Sequence, residues 1–219
     1  MVIENWNDID LNGLKGLLVD LDDTLYHYEP IHKKAFEACM DEAEQRYSID
    51  RDSFKSLWKI ARDKVHNDVH GQGASHSRLL YLQKVYELHT GKTNAQFALK
   101  LEQTYWSIFL QEMSFREGVE AFLQKVKDAG IRMAIVTDLT AQIQLQKWEK
   151  LQLGRYFDFL ISSEEAGVEK PSPYIFELAL EKLHLESKHV AMVGDNAAKD
   201  IAGANALQIK SYHITTKTV

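Results

Sequence analysis

Apolar and polar positions along the 219 residues follow two rhythms. Short apolar runs bounded by turn or polar residues stand at 14–19, 131–136, 157–161 and 190–193, with a weaker one at 209–214. Runs of that length suit strands buried on both faces of a parallel sheet. Between them, at 118–129, 141–151, 174–183 and 197–206, apolar residues return every three or four positions, the period of a helix. Gly130 and Gly154 fall where helix C-caps belong. Strands alternating with such helices predict βαβ units, hence an α/β, Rossmann-like fold with a parallel sheet and helices on both faces.

The alternation breaks once. From 31 to 111 the periodicity is helical throughout, with candidate helices at 35–47, 54–65, 78–88 and 96–110 and breaks near Gly71-Gln72-Gly73 and Thr90-Gly91. This predicts a core formed by 1–27 and 115–219, and an all-helical domain at 28–114 inserted after the first strand.

Composition narrows the classes. The chain is 45% hydrophobic and 26% charged with three prolines, as in ordinary soluble globular proteins. A net charge of -6 and the absence of a basic stretch argue against nucleic acid as a ligand. The densest basic run, Lys147 with Trp148-Glu149-Lys150, reads as a solvated helix face. One cysteine, Cys39, excludes an intramolecular disulfide and sits in a helical pattern as a small buried hydrophobe. The start of the chain is polar and acidic, unlike a signal peptide, and no apolar run approaches the roughly 20 residues of a membrane span. A cytoplasmic protein with no membrane partner is expected. Nothing separates a monomer from a homodimer.

Ligands in open parallel sheets bind at the carboxyl ends of the strands. Three of the four clear strand candidates end in groups suited to chemistry there: Asp20, Thr137 and Asp195. Asp20, Asp22 and Asp23 follow the first strand directly. Carboxylates packed this way raise one another's pKa unless a cation relieves them, and oxygen ligands of this kind favour magnesium. A helix N-cap or a plain acidic turn is the alternative. Gly194-Asp195-Asn196-Ala197-Ala198-Lys199-Asp200 is a second acidic point, readable on its own as an N-cap. Lys170, before Pro171-Ser172-Pro173, could neutralise a carboxylate and a phosphate oxygen, or be a surface lysine. Thr137 could hold a phosphate, or cap the helix that begins near Ala141.

The order is what is specific: Asp-x-Asp after one strand, Thr after the next, Lys before a helix, then Gly-Asp-x-x-x-x-Asp. That pattern resembles the haloacid dehalogenase superfamily of phosphohydrolases, over residues 14–214. The resemblance implies that Asp20 is a nucleophile forming an aspartyl-phosphate, and that Asp22 is the general acid and then base, a role that needs a protonated carboxyl near neutral pH. It implies magnesium on the carboxylates of Asp20 and Asp195 and the carbonyl of Asp22, with Asp200 steadying the metal's water shell. Thr137, the backbone N–H of Asp138 and Lys170 would hold the phosphoryl group, and Thr24 would set the turn carrying Asp22. Asp138 stands where the family often has asparagine. The helical insert is similar to the cap of the group holding sugar-phosphate and nucleotide phosphatases. Asp22 argues against dehalogenation, since the true dehalogenases lack this aspartate.

Within the insert, His66 and His70 stand at i and i+4, a zinc-capable spacing, but no glutamate follows His66. As cap residues, His66, His70, His76 and Arg78 are candidates to contact an anionic or hydroxylated leaving group; surface or packing roles are the alternative. Trp58, Tyr81, Tyr86, Tyr105 and Trp106 read as cap core. The function expected is a magnesium-dependent phosphatase acting on a small phosphorylated metabolite. A sugar phosphomutase using the same intermediate is the alternative, and a phosphoryl-accepting regulatory module a more distant one.

Overall fold

The computed structural model describes residues 1–215. The chain forms two compact units, Met1–His27 with Ser114–Val219, and Tyr28–Met113. The first holds a six-stranded sheet: β1 (Val2–Ile3), β2 (Gly16–Val19), β3 (Arg132–Thr137), β4 (Phe159–Ser162), β5 (Val190–Gly194) and β6 (Lys210–Ile214). The helices in chain order are α1 (Tyr28–Tyr47), α2 (Arg51–Asp68), α3 (Arg78–Thr90), α4 (Ala95–Glu112), α5 (Val119–Asp128), α6 (Ala141–Lys150), α7 (Ser163–Ala166), α8 (Pro173–Leu183) and α9 (Ala202–Ala206). No helix among the described residues is long and apolar enough to cross a membrane.

The sheet order is β1-β6-β5-β2-β3-β4, and every pairing is parallel. The α/β class read from the sequence is therefore the one observed. Leu18 aligns with Ala134 on one side and Met192 on the other, and this row packs on Ile175, Phe176 and Ala179 of α8. The alternate row, Leu17, Val19, Met133, Ile135, Ala191 and Val193, is equally buried. Burial on both faces is why these strands read as continuous apolar runs. Strand order reverses around β2, which lies between β3 and β5, so the ends of these three strands form the crevice where such sheets bind ligands.

Three local details differ from the sequence reading. β1, two residues at the sheet edge, was too short to register as a pattern. Gly154 is not a C-cap: it lies in the short 3-10 turn Leu153–Arg155, and Gln152 before it takes the left-handed conformation. Residues 197–206 are not one α-helix but a π-helical turn, Ala197–Ile201, followed by α9.

The second unit is an aromatic-cored bundle in which α1 packs on α4, and α3 on both α2 and α4. Trp58, Tyr81, Tyr105 and Trp106 are buried in it as expected, and Tyr86 is half-buried against Phe97. Cys39 is fully buried; its thiol donates to the Leu101 carbonyl, and burial pushes its pKa up to about 12. Asp50, Ser77 and Asn94 cap α2, α3 and α4, each accepting a backbone N–H three residues on. The first helix begins at Tyr28, well before its apolar stripe, because Pro30 is tolerated in a first turn.

Helices α8 and α9 approach so closely that a Cβ at Gly203 would lie 2.4 Å from a Phe176 ring carbon and 3.0 Å from the Pro171 carbonyl. Gly203→Ala is expected to destabilise the fold by about 1–3 kcal/mol through overpacking. A urea denaturation midpoint lowered at constant m is the readout, and an unchanged midpoint would contradict the close approach.

Candidate active site

The sheet delivers three carboxylates to one point. Asp20 directly follows β2, its N–H donating to the Val193 carbonyl of β5 at 2.9 Å, so it lies at the strand end and is only 5% exposed. The chain then turns back: Asp23 takes the left-handed conformation, Leu21 and Leu25 are buried, and Thr24 is brought against Asp20. The Thr24 hydroxyl donates to Asp20 Oδ2 at 2.9 Å, lies 3.2 Å from Asp195 Oδ1 and accepts the Asp195 N–H at 3.1 Å. One small side chain thus ties the end of β2 to the end of β5.

Asp200 reaches the same point through the π-helical turn. Asn196 caps that turn, accepting from the N–H groups of Ala198 and Lys199, and its own N–H donates to Asp200 Oδ2 at 3.0 Å. π-turns of this kind are frequent at functional sites. Gly194 is the residue that admits Asp200, since a Cβ there would lie 2.3 Å from Asp200 Oδ2.

Lys170 balances part of this charge. Its ammonium donates to Asp20 Oδ1 and Asp200 Oδ1, both at 2.6 Å, and to the Val136 carbonyl at 3.0 Å, with all three side chains buried. Burial would push the ammonium's pKa down, but Asp20, Asp200 and Asp138 outweigh it and hold the value well above the usual lysine range. Burial, together with the Asp200 and Asp195 charges, pushes the Asp20 carboxyl up against the pull of Lys170. Burial and Asp200 also raise Asp195. The Lys170 ammonium pairs directly with two of the three carboxylates, so the point has an unmet demand for positive charge. Asp20, Asp195 and Asp200 each present an oxygen within 4.8 Å of the others, a donor set that suits a hard divalent cation such as magnesium.

The end of β3 supplies the remaining groups. Thr137 is buried; its hydroxyl oxygen accepts from Gln144 Nε2 at 2.7 Å, and the hydroxyl donates to the Asp138 carbonyl at 3.3 Å. Thr137 does not cap α6; Thr140 stands at that position, and the first N–H of α6 donates to Glu164. Asp138 uses its carboxylate structurally: Oδ1 accepts the Lys170 N–H at 3.0 Å and Oδ2 the Lys199 ammonium at 2.7 Å. This carboxylate anchors the loop that presents Lys170.

Asp22 is held from behind. The Lys147 ammonium lies 2.7 and 2.9 Å from its two oxygens, and the Tyr26 hydroxyl also donates to Oδ1. Nearby, Arg116 is buried with its Nη2 at 3.4 Å from Asp23, while Nε and Nη1 have no hydrogen-bond partner among the described residues.

A family model for haloacid dehalogenase-like hydrolases matches residues 14–208. The chain belongs to this family of hydrolases. It is 40% identical over 197 residues, 90% of this chain and 82% of the relative, to ribulose-1,5-bisphosphate 5-phosphatase of Halopiger xanaduensis. It is 28% identical to glyceraldehyde 3-phosphate phosphatase of Methanocaldococcus jannaschii, over 92% of this chain and 85% of that one. Among solved structures, the HAD-hydrolase YfnB of Bacillus subtilis, bound to magnesium, superposes with a TM-score of 0.69 at 18% identity, covering 92% of this chain and 94% of that one. At that identity the likeness shows the fold alone.

In this hydrolase the sequence reading missed Lys147, Gln144 and Arg116, and Lys147 corrects it. Read as part of a solvated helix face, Lys147 is fully buried. The signal was present: Lys147 is four residues after Ile143 and four before Leu151, both buried, so it stands on the core stripe of α6. Gln144 is also fully buried, one turn from Lys147. Arg116 had no comparable pattern around it.

The histidines of the helical unit divide. His66 Nε2 lies 2.7 Å from the Tyr81 hydroxyl, and its ring is 5.0 Å from that of His76. His70 is exposed beyond the end of α2 at Asp68, so the helical i, i+4 pairing with His66 is not formed. Arg78 donates to the His76 carbonyl at 2.5 Å and to the Tyr28 hydroxyl. Its guanidinium carbon lies 5.5–5.8 Å from the ring centroids of Tyr28, Tyr81, Tyr105 and Trp106. Aromatic faces and phenols, rather than a carboxylate, solvate this cation.

Removing Lys170 would leave Asp20 and Asp200 buried with no cation between them. Lys170→Met is therefore expected to cost about 3–5 kcal/mol of stability, read from urea denaturation at neutral pH without added metal. A loss below about 1 kcal/mol, the range of exposed pairs, would contradict the buried pairing.

Proposed function

We propose that this hydrolase is a magnesium-dependent phosphatase that cleaves a small phosphorylated sugar, with Asp20 as nucleophile. The observation that carries the reading is the cluster of Asp20, Asp195 and Asp200 around a single ammonium at the ends of β2 and β5. A buried carboxylate paired through one oxygen with Lys170, with Thr24 fixing its second oxygen, is oriented to attack phosphorus rather than to serve as a structural turn. The sugar-phosphate relatives point to the same substrate class.

In this reading Asp20 bonds to phosphorus as the ester P–O bond breaks, and Asp22 gives its proton to the departing oxygen. Asp22 then takes a proton from water, whose oxygen attacks the phosphorus, releasing inorganic phosphate and restoring Asp20. Thr137 through its hydroxyl, Asp138 through its N–H, and Lys170 hold the phosphoryl oxygens, so that catalysis is mainly placement of positive charge where negative charge develops. Magnesium, held by Asp20, Asp195 and the Asp22 carbonyl with Asp200 on its water shell, would supply charge neutralisation of the phosphoryl group.

Phosphate release from a panel of sugar monophosphates and bisphosphates tests this. Release should require millimolar magnesium, stop with a chelator, and fall by at least about 10³-fold in Asp20→Asn, as for loss of other covalent nucleophiles. Turnover no greater than that of Asp20→Asn across the panel would overturn the reading. Isomerised sugar phosphate without free phosphate would redirect it to a phosphomutase.

A further inference from the structure

We infer that Lys147 is the positioning residue for Asp22, fixing the carboxyl that serves the leaving oxygen. The inference rests on the phosphatase reading and extends it to a residue outside the motifs that carry the family resemblance.

The geometry is one-sided. The Lys147 side chain is 0% exposed, while that of Asp22 is 30% exposed. The ammonium meets both carboxylate oxygens, at 2.7 and 2.9 Å, and the Tyr26 hydroxyl joins it on Oδ1. Asp22 is therefore anchored on its buried side, with part of its side chain at the surface. The Lys147 ammonium also lies 5.8 Å from the Tyr26 ring centroid, so the two anchors brace each other.

Stability alone does not call for a lysine here. Lys147 interrupts an apolar stripe formed by Ile143 and Leu151, and an apolar side chain would continue that stripe. Buried ion pairs are often replaced by packed hydrophobic residues with no loss of stability. What an apolar residue could not do is hold a carboxyl in one orientation. Placement of an acid or base is exacting, since displacement by about 1 Å can cost about 10²-fold in rate.

One turn earlier on the same helix, Gln144 is also fully buried and holds the Thr137 hydroxyl at 2.7 Å and the Asp138 carbonyl at 2.7 Å. Residues three apart share a helix face. Helix α6 thus presents two adjacent side chains to two motif residues that come from different strands, Thr137 of β3 and Asp22 after β2.

The test compares Lys147→Met with wild type on two phosphate donors, using kcat/KM because it covers steps through departure of the leaving group. One donor is the best sugar phosphate of the panel, whose alkoxide needs a proton. The other is p-nitrophenyl phosphate, or acetyl phosphate if the ring is too large, whose leaving group needs none. Lys147→Met should lose about 10²-fold on the sugar phosphate and change little on the activated donor. Asp22→Asn should show the same selectivity, and the double variant should match Asp22→Asn within about twofold, as residues acting as a unit do. Lys147→Arg, which keeps the cation, should restore part of the loss. Equal losses on both donors, or losses that multiply in the double variant, would overturn the inference. If Lys147→Met does not fold by circular dichroism, Lys147→Arg is compared in its place, and failure of both to fold assigns Lys147 a structural role and overturns the inference too. Wild-type protein inactive on both donors would instead sink the phosphatase reading itself.

Discussion

The buried ammonium of Lys170, shared between Asp20 and Asp200, is the interaction on which the rest of the site depends. Without it the end of β2 would place ionised carboxylates in a water-poor crevice with nothing to offset their desolvation. With it, charge is only partly balanced, because Asp195 also faces the cluster. The remaining negative charge is what makes the point attractive to a divalent cation and, beyond it, to a phosphoryl group.

Much of the surrounding structure keeps that ammonium in place. Asp138 binds the Lys170 backbone N–H, and Lys199 in turn binds Asp138. Gly194 leaves room for Asp200. Thr24 joins Asp20 to Asp195 across two strands. Each is a short-range contact, and together they convert three strand ends into one rigid arrangement, as preorganised electrostatic catalysis requires.

Helix α6 adds a second layer that the family motifs do not contain. It spends two core positions on polar side chains, Gln144 and Lys147, each fully buried and each hydrogen-bonded to a motif residue. A helix whose purpose was only to cover the sheet would carry apolar residues at both.

The sequence by itself determined the parallel α/β core, because strands buried on both faces must be apolar throughout and helices between them must carry a stripe. Ordered motif spacing likewise made Asp20, Asp22, Thr137, Lys170, Asp195 and Asp200 legible as candidates, since strand ends of one parallel sheet face one crevice. Two-residue β1 and the π-turn before α9 left no such pattern, being too short to repeat. Tertiary structure alone decided the partners of those candidates. Lys147 reads as solvated because lysine usually is; its pairing with Asp22, 125 residues away in sequence, is what offsets its burial. His66 and His70 look paired because helical spacing implies it, yet α2 ends between them. Periodicity records which side of an element is buried, whereas the identity of what lies against it is a long-range property that no local pattern carries.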